Sequence, residues 1–172
     1  MRGANGSGKT TLVRCVVGLT RPDAGEVMWD GAPVPRDVAA FRESLCYGGH
    51  LPGIKDDLTA DENLAALLAL RGRSADIEAR RAALARVGLD KRRNLQARWL
   101  SAGQRRRIGL ARLSLERVPL WALDEPLTAL DDEGQRLFEG LLGDHIAGGG
   151  MAIIATHHPL APAPARALRL GA

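Results

Sequence analysis

The chain has 172 residues, of which 45% are hydrophobic and 26% charged, and its formal net charge is +4 at pH 7. These values are typical of one globular domain with an ordinary core, and they exclude an intrinsically disordered chain. No apolar run is long enough to span a bilayer, no secretory leader pattern opens the sequence, and the two cysteines lack metal-ligand spacing, which favours a protein of the reducing cytosol.

The first predicted element is a phosphate-binding loop, because residues 3–10 read GANGSGKT and match G-x-x-x-x-G-K-[ST]. Glycines in such a loop let backbone N–H groups point inward, the lysine reaches the phosphates, and the hydroxyl binds Mg²⁺. The letters KTTLVRCVVGL then predict a helix that ends near Gly18. A glycine-rich turn with a surface lysine is the alternative reading. The predicted nucleotide-binding residues are Gly3, Ala4, Asn5, Gly6, Ser7, Gly8, Lys9, Thr10 and Thr11, with Lys9 also catalytic and Thr10 a Mg²⁺ ligand.

The next segments predict a hairpin, a strand and a helical region. Asp30-Gly31 between EVMW and APV favours a tight hairpin, and SLCYG predicts a strand. Thr59 and Glu62 form a capping box ahead of NLAALLAL, and a second helix, ADIEARRAALARV, stops at Gly88. Residues 59–116 are therefore predicted to be helical.

The segment LSAGQRRR predicts a capped helix, because Ser101 is followed three residues later by Gln104. Such a helix directs its first N–H groups and dipole past Ser101 and Gly103, which would suit an anion. Since the phosphate loop already provides an anion site, this helix is predicted to serve a nucleotide bound to another copy; an ordinary capped helix is the alternative. The run of arginines at 105–107 is predicted to be a solvated helix face, since the aromatic residues that stack nucleic-acid bases make up only 3% of the chain.

After this helix, the segment PLWALDEP predicts a buried strand that ends in two adjacent acidic residues. Asp124 is a candidate Mg²⁺ ligand, and Glu125 is a candidate base that would orient water for in-line attack on a γ-phosphate. Two solvated acids at a strand end are the alternative. A helix over DDEGQRLFEGLLGDHIA, a strand over MAIIAT and an edge strand over ARALRL complete an α/β pattern.

Taken in order, these segments resemble the ATP-binding cassette (ABC) ATPases: Walker A GANGSGKT, signature LSAGQ, Walker B PLWALDE, D-loop TALD and switch ATHH. The resemblance covers nearly the whole chain. It implies a P-loop NTPase of the ABC type, with a mostly parallel central sheet and a helical subdomain, residues 59–116, inserted between Walker A and Walker B of a single domain over 1–172. It also implies ATP as substrate and Mg²⁺ as cofactor.

The resemblance assigns roles across a dimer. It implies that two cassettes close on two ATP molecules, each held between Walker A of one copy and the signature of the other. Asp131 would lie across that interface, and His157 would be the switch histidine that contacts the γ-phosphate and helps hold Glu125; His158 has no assigned role. The trans signature residues would be Ser101, Ala102, Gly103 and Gln104.

One departure from most relatives points to a branch of the family. His50 stands in YGGHLPGIK where most carry glutamine, and this segment with LSAGQRRRIGLARL resembles the haem-exporter ATPases of cytochrome c biogenesis. The resemblance implies a peripheral protein on the cytoplasmic face of the inner membrane that binds a transmembrane subunit and no nucleic acid, and that drives haem export or release of a haem-loaded chaperone. Another ABC exporter, or a truncated and catalytically impaired cassette, remains the alternative.

Two other classes of ABC protein fit less well. A DNA-maintenance ATPase needs a long coiled coil between Lys9 and Ser101, for which the interval is too short, and an ABC translation factor carries two cassettes. In relatives, two strands and an aromatic that stacks on adenine precede Walker A. The sequence is therefore expected to lack its N-terminal strands, through an artefact of start-site choice at Met1.

Overall fold

The chain divides into two compact units, the first built from three segments of the chain and the second from two. The computed structural model describes residues 1, 3, 4, 6–34, 39–49, 53–158, 160 and 166–170. The first unit comprises Met1–His50, Val118–Pro126 and His145–Ala172, and the second comprises Leu51–Arg117 and Leu127–Asp144. The predicted helical region 59–116 lies within the second unit.

A small hairpin and three parallel strands form the sheets of the first unit. Strands β1 (Met28–Trp29) and β2 (Ala32–Pro33) pair in antiparallel fashion, and the positive φ angles of Asp30 and Gly31 confirm the predicted tight turn. The central sheet has the order β3 (Leu45–Gly48), β4 (Leu120–Asp124) and β5 (Met151–Ala155), all parallel. Every residue of β4 is buried, as its apolar run predicts, and the predicted α/β fold is confirmed.

Two helices cover this sheet in the first unit. Helix α1 (Lys9–Val16) follows the phosphate loop, and α2 (Ala39–Glu43), which the sequence analysis missed, precedes β3. Trp29 and Phe41 meet edge to face, with ring centroids 5.7 Å apart. One cluster of buried core residues comprises Val13, Val17, Phe41, Leu45, Leu120, Ala122 and Ala155.

The second unit is helical. Helix α3 (Ala60–Ala69) begins at the predicted capping box, and α4 (Ile77–Arg86) begins at Asp76, whose side chain accepts a hydrogen bond from the Ala79 amide. Two single 3₁₀ turns, Asp90–Arg92 and Ala97–Trp99, lead to α5 (Ala102–Leu115). Helix α6 (Asp132–Ala147) starts in this unit and ends in the first.

The predicted edge strand over ARALRL is wrong for the residues that the structure describes. Between residues 166 and 170 only Arg169 makes an isolated bridge, and no strand forms there. A short alternating pattern supplies little apolar surface, so tertiary context decides whether it pairs. In the described part of the chain, every helix is too short or too polar for a transmembrane span.

Candidate active site

The phosphate loop of the first unit is curled around its own lysine. Gly6 and Gly8 have φ angles of 84° and 87°, a region that residues with a Cβ adopt only with strain. Lys9 is buried, and its Nζ donates hydrogen bonds to the carbonyl oxygens of Gly3 (2.7 Å) and Ala4 (2.9 Å). The ammonium group is therefore held inside the loop. Asn5 lies outside the described residues.

The N-terminus of α1 presents backbone donors to the loop. Gly8 is its N-cap residue, and no side chain of the described residues caps the helix. The first-turn N–H groups have no intrahelical partners, so together with the helix dipole they favour an anion. Thr10 and Thr11 are exposed on this turn, where their hydroxyl groups are accessible.

Asp124 ends the central strand β4 and is only 2% exposed. Burial, followed by the negative charge of Asp124, raises the pKa of the Tyr47 phenol above its ordinary value. The residues present fit Mg²⁺, which prefers hard oxygen ligands and is usually held by one or two carboxylates together with substrate phosphates. Among the described residues, no cluster of three or more His, Cys, Asp or Glu could hold a metal without such phosphates.

Glu125 and His157 are brought together by the ends of β4 and β5. Glu125 has a φ of 51°, an uncommon conformation for a non-glycine residue, and its amide donates to the Ala155 carbonyl (2.8 Å). Its Oε2 lies 3.0 Å from Nδ1 of His157, and the glutamate side chain is 14% exposed against 56% for the histidine. The pairing holds the carboxylate at the carboxyl end of β4, the end of a parallel strand at which α/β sheets bind their ligands.

His158 is arranged differently from its neighbour. Its ring stacks at a tilt on that of His157, with centroids 4.1 Å apart, and its amide donates to Oγ1 of Thr156. It makes no contact with Glu125 that would parallel the one made by His157. His50, the other histidine with a predicted role, lies outside the described residues.

In the second unit, the predicted capping box of α5 is confirmed. The Gln104 amide donates to Ser101 Oγ (3.2 Å), and the Ser101 amide donates to Gln104 Oε1 (3.0 Å). Ser101 and Ala102 are exposed, and Gly103 is half-buried. The remaining first-turn donors of this helix thus stand at an accessible surface.

Asp131 is anchored by two donors in the second unit. Its Oδ1 accepts hydrogen bonds from Nη2 of Arg107 (2.6 Å) and from the amide of Gly134 (2.9 Å) in the first turn of α6. The Arg107 hydrogen bond is the main cause that holds the pKa of Asp131 below its usual value. This carboxylate is therefore ionised throughout the physiological pH range.

The predicted solvated face over residues 105–107 is wrong for two of its three arginines. Arg106 and Arg107 are 9% and 6% exposed, and only Arg105 reaches the surface, where it pairs with Asp56 at 3.0 Å. The error arose because a run of like charges on an exposed-looking helix gives no local sign of distant acidic partners. The role of Arg107 as the partner of Asp131 is not predicted by the sequence.

Comparisons with known proteins agree with this geometry. The family described as ABC transporter matches residues 1–128. A cytochrome c biogenesis ATP-binding export protein CcmA of Methylococcus capsulatus is 50% identical over 93% of this chain and 77% of its own length, and the CcmA of Cupriavidus pinatubonensis is 50% identical over 98% and 74%. Among solved structures, the dimeric post-hydrolysis state of the ATP-binding cassette MJ0796, bound to ADP and Pi, is similar with a TM-score of 0.76 and 27% identity over 91% of this chain and 72% of that one.

Proposed function

Because the chain belongs to the ABC transporter family, we propose that it is the ATP-hydrolysing subunit of an export complex in cytochrome c biogenesis, which drives haem export or the release of a haem-loaded chaperone. The observation that carries the hydrolytic part is the Glu125–His157 pair at the end of β4, in the same unit as the phosphate loop. The export part rests on the relatives' names and on half of the residues being identical. These names favour this branch over other ABC exporters.

The phosphate loop binds ATP, and different groups bind the phosphates and the metal ion. The first-turn N–H groups of α1 and the Lys9 ammonium neutralise the β- and γ-phosphates. Thr10 and Asp124 would hold Mg²⁺, which when bound neutralises phosphate charge in the transition state. Lys9 must exchange its hydrogen bonds to loop carbonyls for phosphate oxygens, and both are oxygen acceptors, so the exchange costs little.

Glu125 is the candidate general base. Its carboxylate accepts a proton from the water that attacks the γ-phosphate. His157 keeps this carboxylate at the carboxyl end of β4 through the 3.0 Å contact. Burial to 14% exposure limits the orientations that the glutamate side chain can adopt. A preoriented base needs less reorganisation when the reaction begins.

Two copies of the chain are proposed to share each nucleotide. The accessible first turn of α5, with Ser101, Ala102, Gly103 and Gln104, would bind the γ-phosphate held by the phosphate loop of the other copy, and Asp131 would meet that copy nearby. The dimeric state of a similar cassette supports this arrangement. A transmembrane subunit would bind near residues 50–57, so the protein would lie on the cytoplasmic face of the inner membrane.

The test replaces Glu125 by glutamine, which keeps the side-chain shape and removes the base. Turnover of ATP should fall roughly 10²–10⁴-fold while the dissociation constant for Mg-ATP stays within about twofold, because the phosphate-binding groups are intact. Hydrolysis is followed by phosphate release, and binding by calorimetry. An equal loss of binding and turnover would refute the role of Glu125.

The export role is tested in cells that depend on this protein for c-type cytochromes. Replacing the chromosomal copy with the Glu125→Gln variant should abolish haem-stained c-type cytochromes without changing the amount of the protein. Full cytochrome assembly in cells whose purified variant has lost ATP turnover would contradict the proposed process while leaving the ATPase assignment intact.

A further inference from the structure

A buried arginine joins α5 to the segment that leads into α6. The Arg107 side chain is 7% exposed, and its Nη2 donates to Asp131 Oδ1 (2.6 Å) and Glu133 Oε2 (2.9 Å). Its Nη1 donates to the Val87 carbonyl (3.4 Å) at the end of α4. One guanidinium group therefore fixes three segments of the second unit.

The same two segments touch at a second point. A Cβ added to Gly103 would lie 2.8 Å from the carbonyl oxygen of Ala129, closer than side-chain carbons come to backbone oxygens. Ala129 itself has a positive φ of 64°. Residues 128–131 are thus packed directly against the first turn of α5, which carries Ser101.

The exposure of the charged groups is unequal. Asp131 and Glu133 are 68% and 64% exposed, whereas the arginine between them is almost fully covered. The two carboxylates face solvent, and each accepts a hydrogen bond from an arginine that is almost fully buried. A planar guanidinium with two acceptors on one nitrogen restricts both carboxylates more than a lysine ammonium would.

We propose that Arg107 is a positioning residue that holds Asp131 and residues 128–131 against α5, so that Ser101 and Asp131 approach the nucleotide site of a second copy as one rigid piece. This inference rests on the proposed shared-nucleotide dimer. Arg107 itself touches no reacting atom; it acts through Asp131. Loss of the arginine leaves Asp131 free to move relative to Ser101 while the phosphate loop of the first unit keeps its own contacts.

A second ion pair in the same unit provides a matched control. Arg80 donates from Nε and Nη2 to the two oxygens of Asp61 (3.0 and 2.9 Å) and from Nη1 to the Ala75 carbonyl (2.7 Å). Its side chain is 16% exposed. This is also an arginine–carboxylate pair, but within the described residues the hydrogen bonds of Arg80 go to Asp61 and Ala75 and not to α5 or residues 128–131.

The experiment compares Arg107→Met with Arg80→Met in the full chain. Both variants should lower the unfolding midpoint, but only Arg107→Met should lower kcat, by about tenfold, with monomer affinity for Mg-ATP within about twofold of the parent. In the Glu125→Gln background, Arg107→Met should also weaken the ATP-dependent dimer about tenfold. A kcat for Arg107→Met that equals that of Arg80→Met, measured per folded molecule, would overturn the proposal.

A double-mutant cycle with Asp131→Ala tests whether the arginine acts through that carboxylate. If it does, the double variant should be no slower than Asp131→Ala alone, within about twofold. Multiplicative losses would mean that Arg107 acts elsewhere and would also overturn the proposal. If Arg107→Met does not fold, Arg107→Lys replaces it, with an expected loss of about threefold and the same lack of additivity. Failure of the proposed function would appear differently, as a parent chain without ATP turnover or ATP-dependent dimer.

Discussion

In the first unit, Lys9 and Asp124 are buried and Glu125 is largely covered, whereas in the second unit Ser101 and Asp131 are exposed and are held by hydrogen bonds. The first arrangement suits chemistry, because buried charged groups are restricted and act in a lower dielectric. The second suits recognition of a partner, because its groups are already fixed before contact. Variants in the two units should therefore change ATP turnover and stability in different ways.

The two helix N-termini show the same difference. At α1 the N-cap is Gly8 and no described side chain competes for the first-turn donors, so they are left for a ligand. At α5 the Ser101–Gln104 box already satisfies two donors. The N-terminus of α1 therefore keeps its donors available to a ligand, whereas that of α5 is partly satisfied by its own capping box.

Among the matched pairs of variants, the adjacent histidines should differ most, and they test whether the chemistry belongs to the first unit. His157→Ala removes the 3.0 Å support of Glu125, so turnover should fall roughly 10- to 100-fold, whereas His158→Ala should stay within about twofold. Steady-state phosphate release at saturating Mg-ATP measures both. Equal losses for the two variants would show that His157 has no special role.

The two capping boxes of the second unit offer a second matched pair, with a smaller expected effect on turnover. Thr59→Ala and Ser101→Ala each remove one N-cap, and each should lower the free energy of unfolding by about 1 kcal/mol. Only Ser101→Ala should also lower turnover, by about tenfold, since the lost hydroxyl contact is worth roughly 1.4 kcal/mol. Urea unfolding and phosphate release on the same samples separate the two properties. A similar loss of turnover for Thr59→Ala would mean that stability alone explains the result.

The smallest expected effect is on the pH dependence of stability, because the two capping boxes differ at helix position N3. Glu62 titrates and Gln104 does not, and the hydrogen bond from the Thr59 amide is the main cause that lowers the pKa of Glu62. A carboxylate with a lowered folded-state pKa stabilises the fold above its unfolded-state pKa and loses that contribution as the pH falls through the folded-state value. Glu62→Gln should therefore lower the unfolding midpoint at pH 7, and the difference from the parent should shrink as the pH is lowered toward 4 and below. A difference that grew on acidification would contradict the sign of this shift.

The parts of the structure that sequence predicted are those with local causes. The Thr59 and Ser101 boxes depend on residues three positions apart, and β4 depends on a continuous apolar run, so both are readable from short windows. The Glu125–His157 pairing was reached only through the family resemblance. The contact between Arg107 and Asp131 escaped prediction because the two residues are distant in sequence, and a buried arginine carries no local pattern.

The shared-nucleotide dimer is tested by sedimentation velocity of the Glu125→Gln variant. With Mg-ATP the variant should sediment as a dimer and without nucleotide as a monomer, because blocked hydrolysis keeps the closed state populated. Adding Ser101→Arg should abolish the dimer, since the larger side chain would occupy the place of the partner's γ-phosphate, while ATP binding to the monomer persists. A species that remains monomeric at all concentrations with ATP bound, or a dimer that survives Ser101→Arg, would contradict the shared-nucleotide dimer.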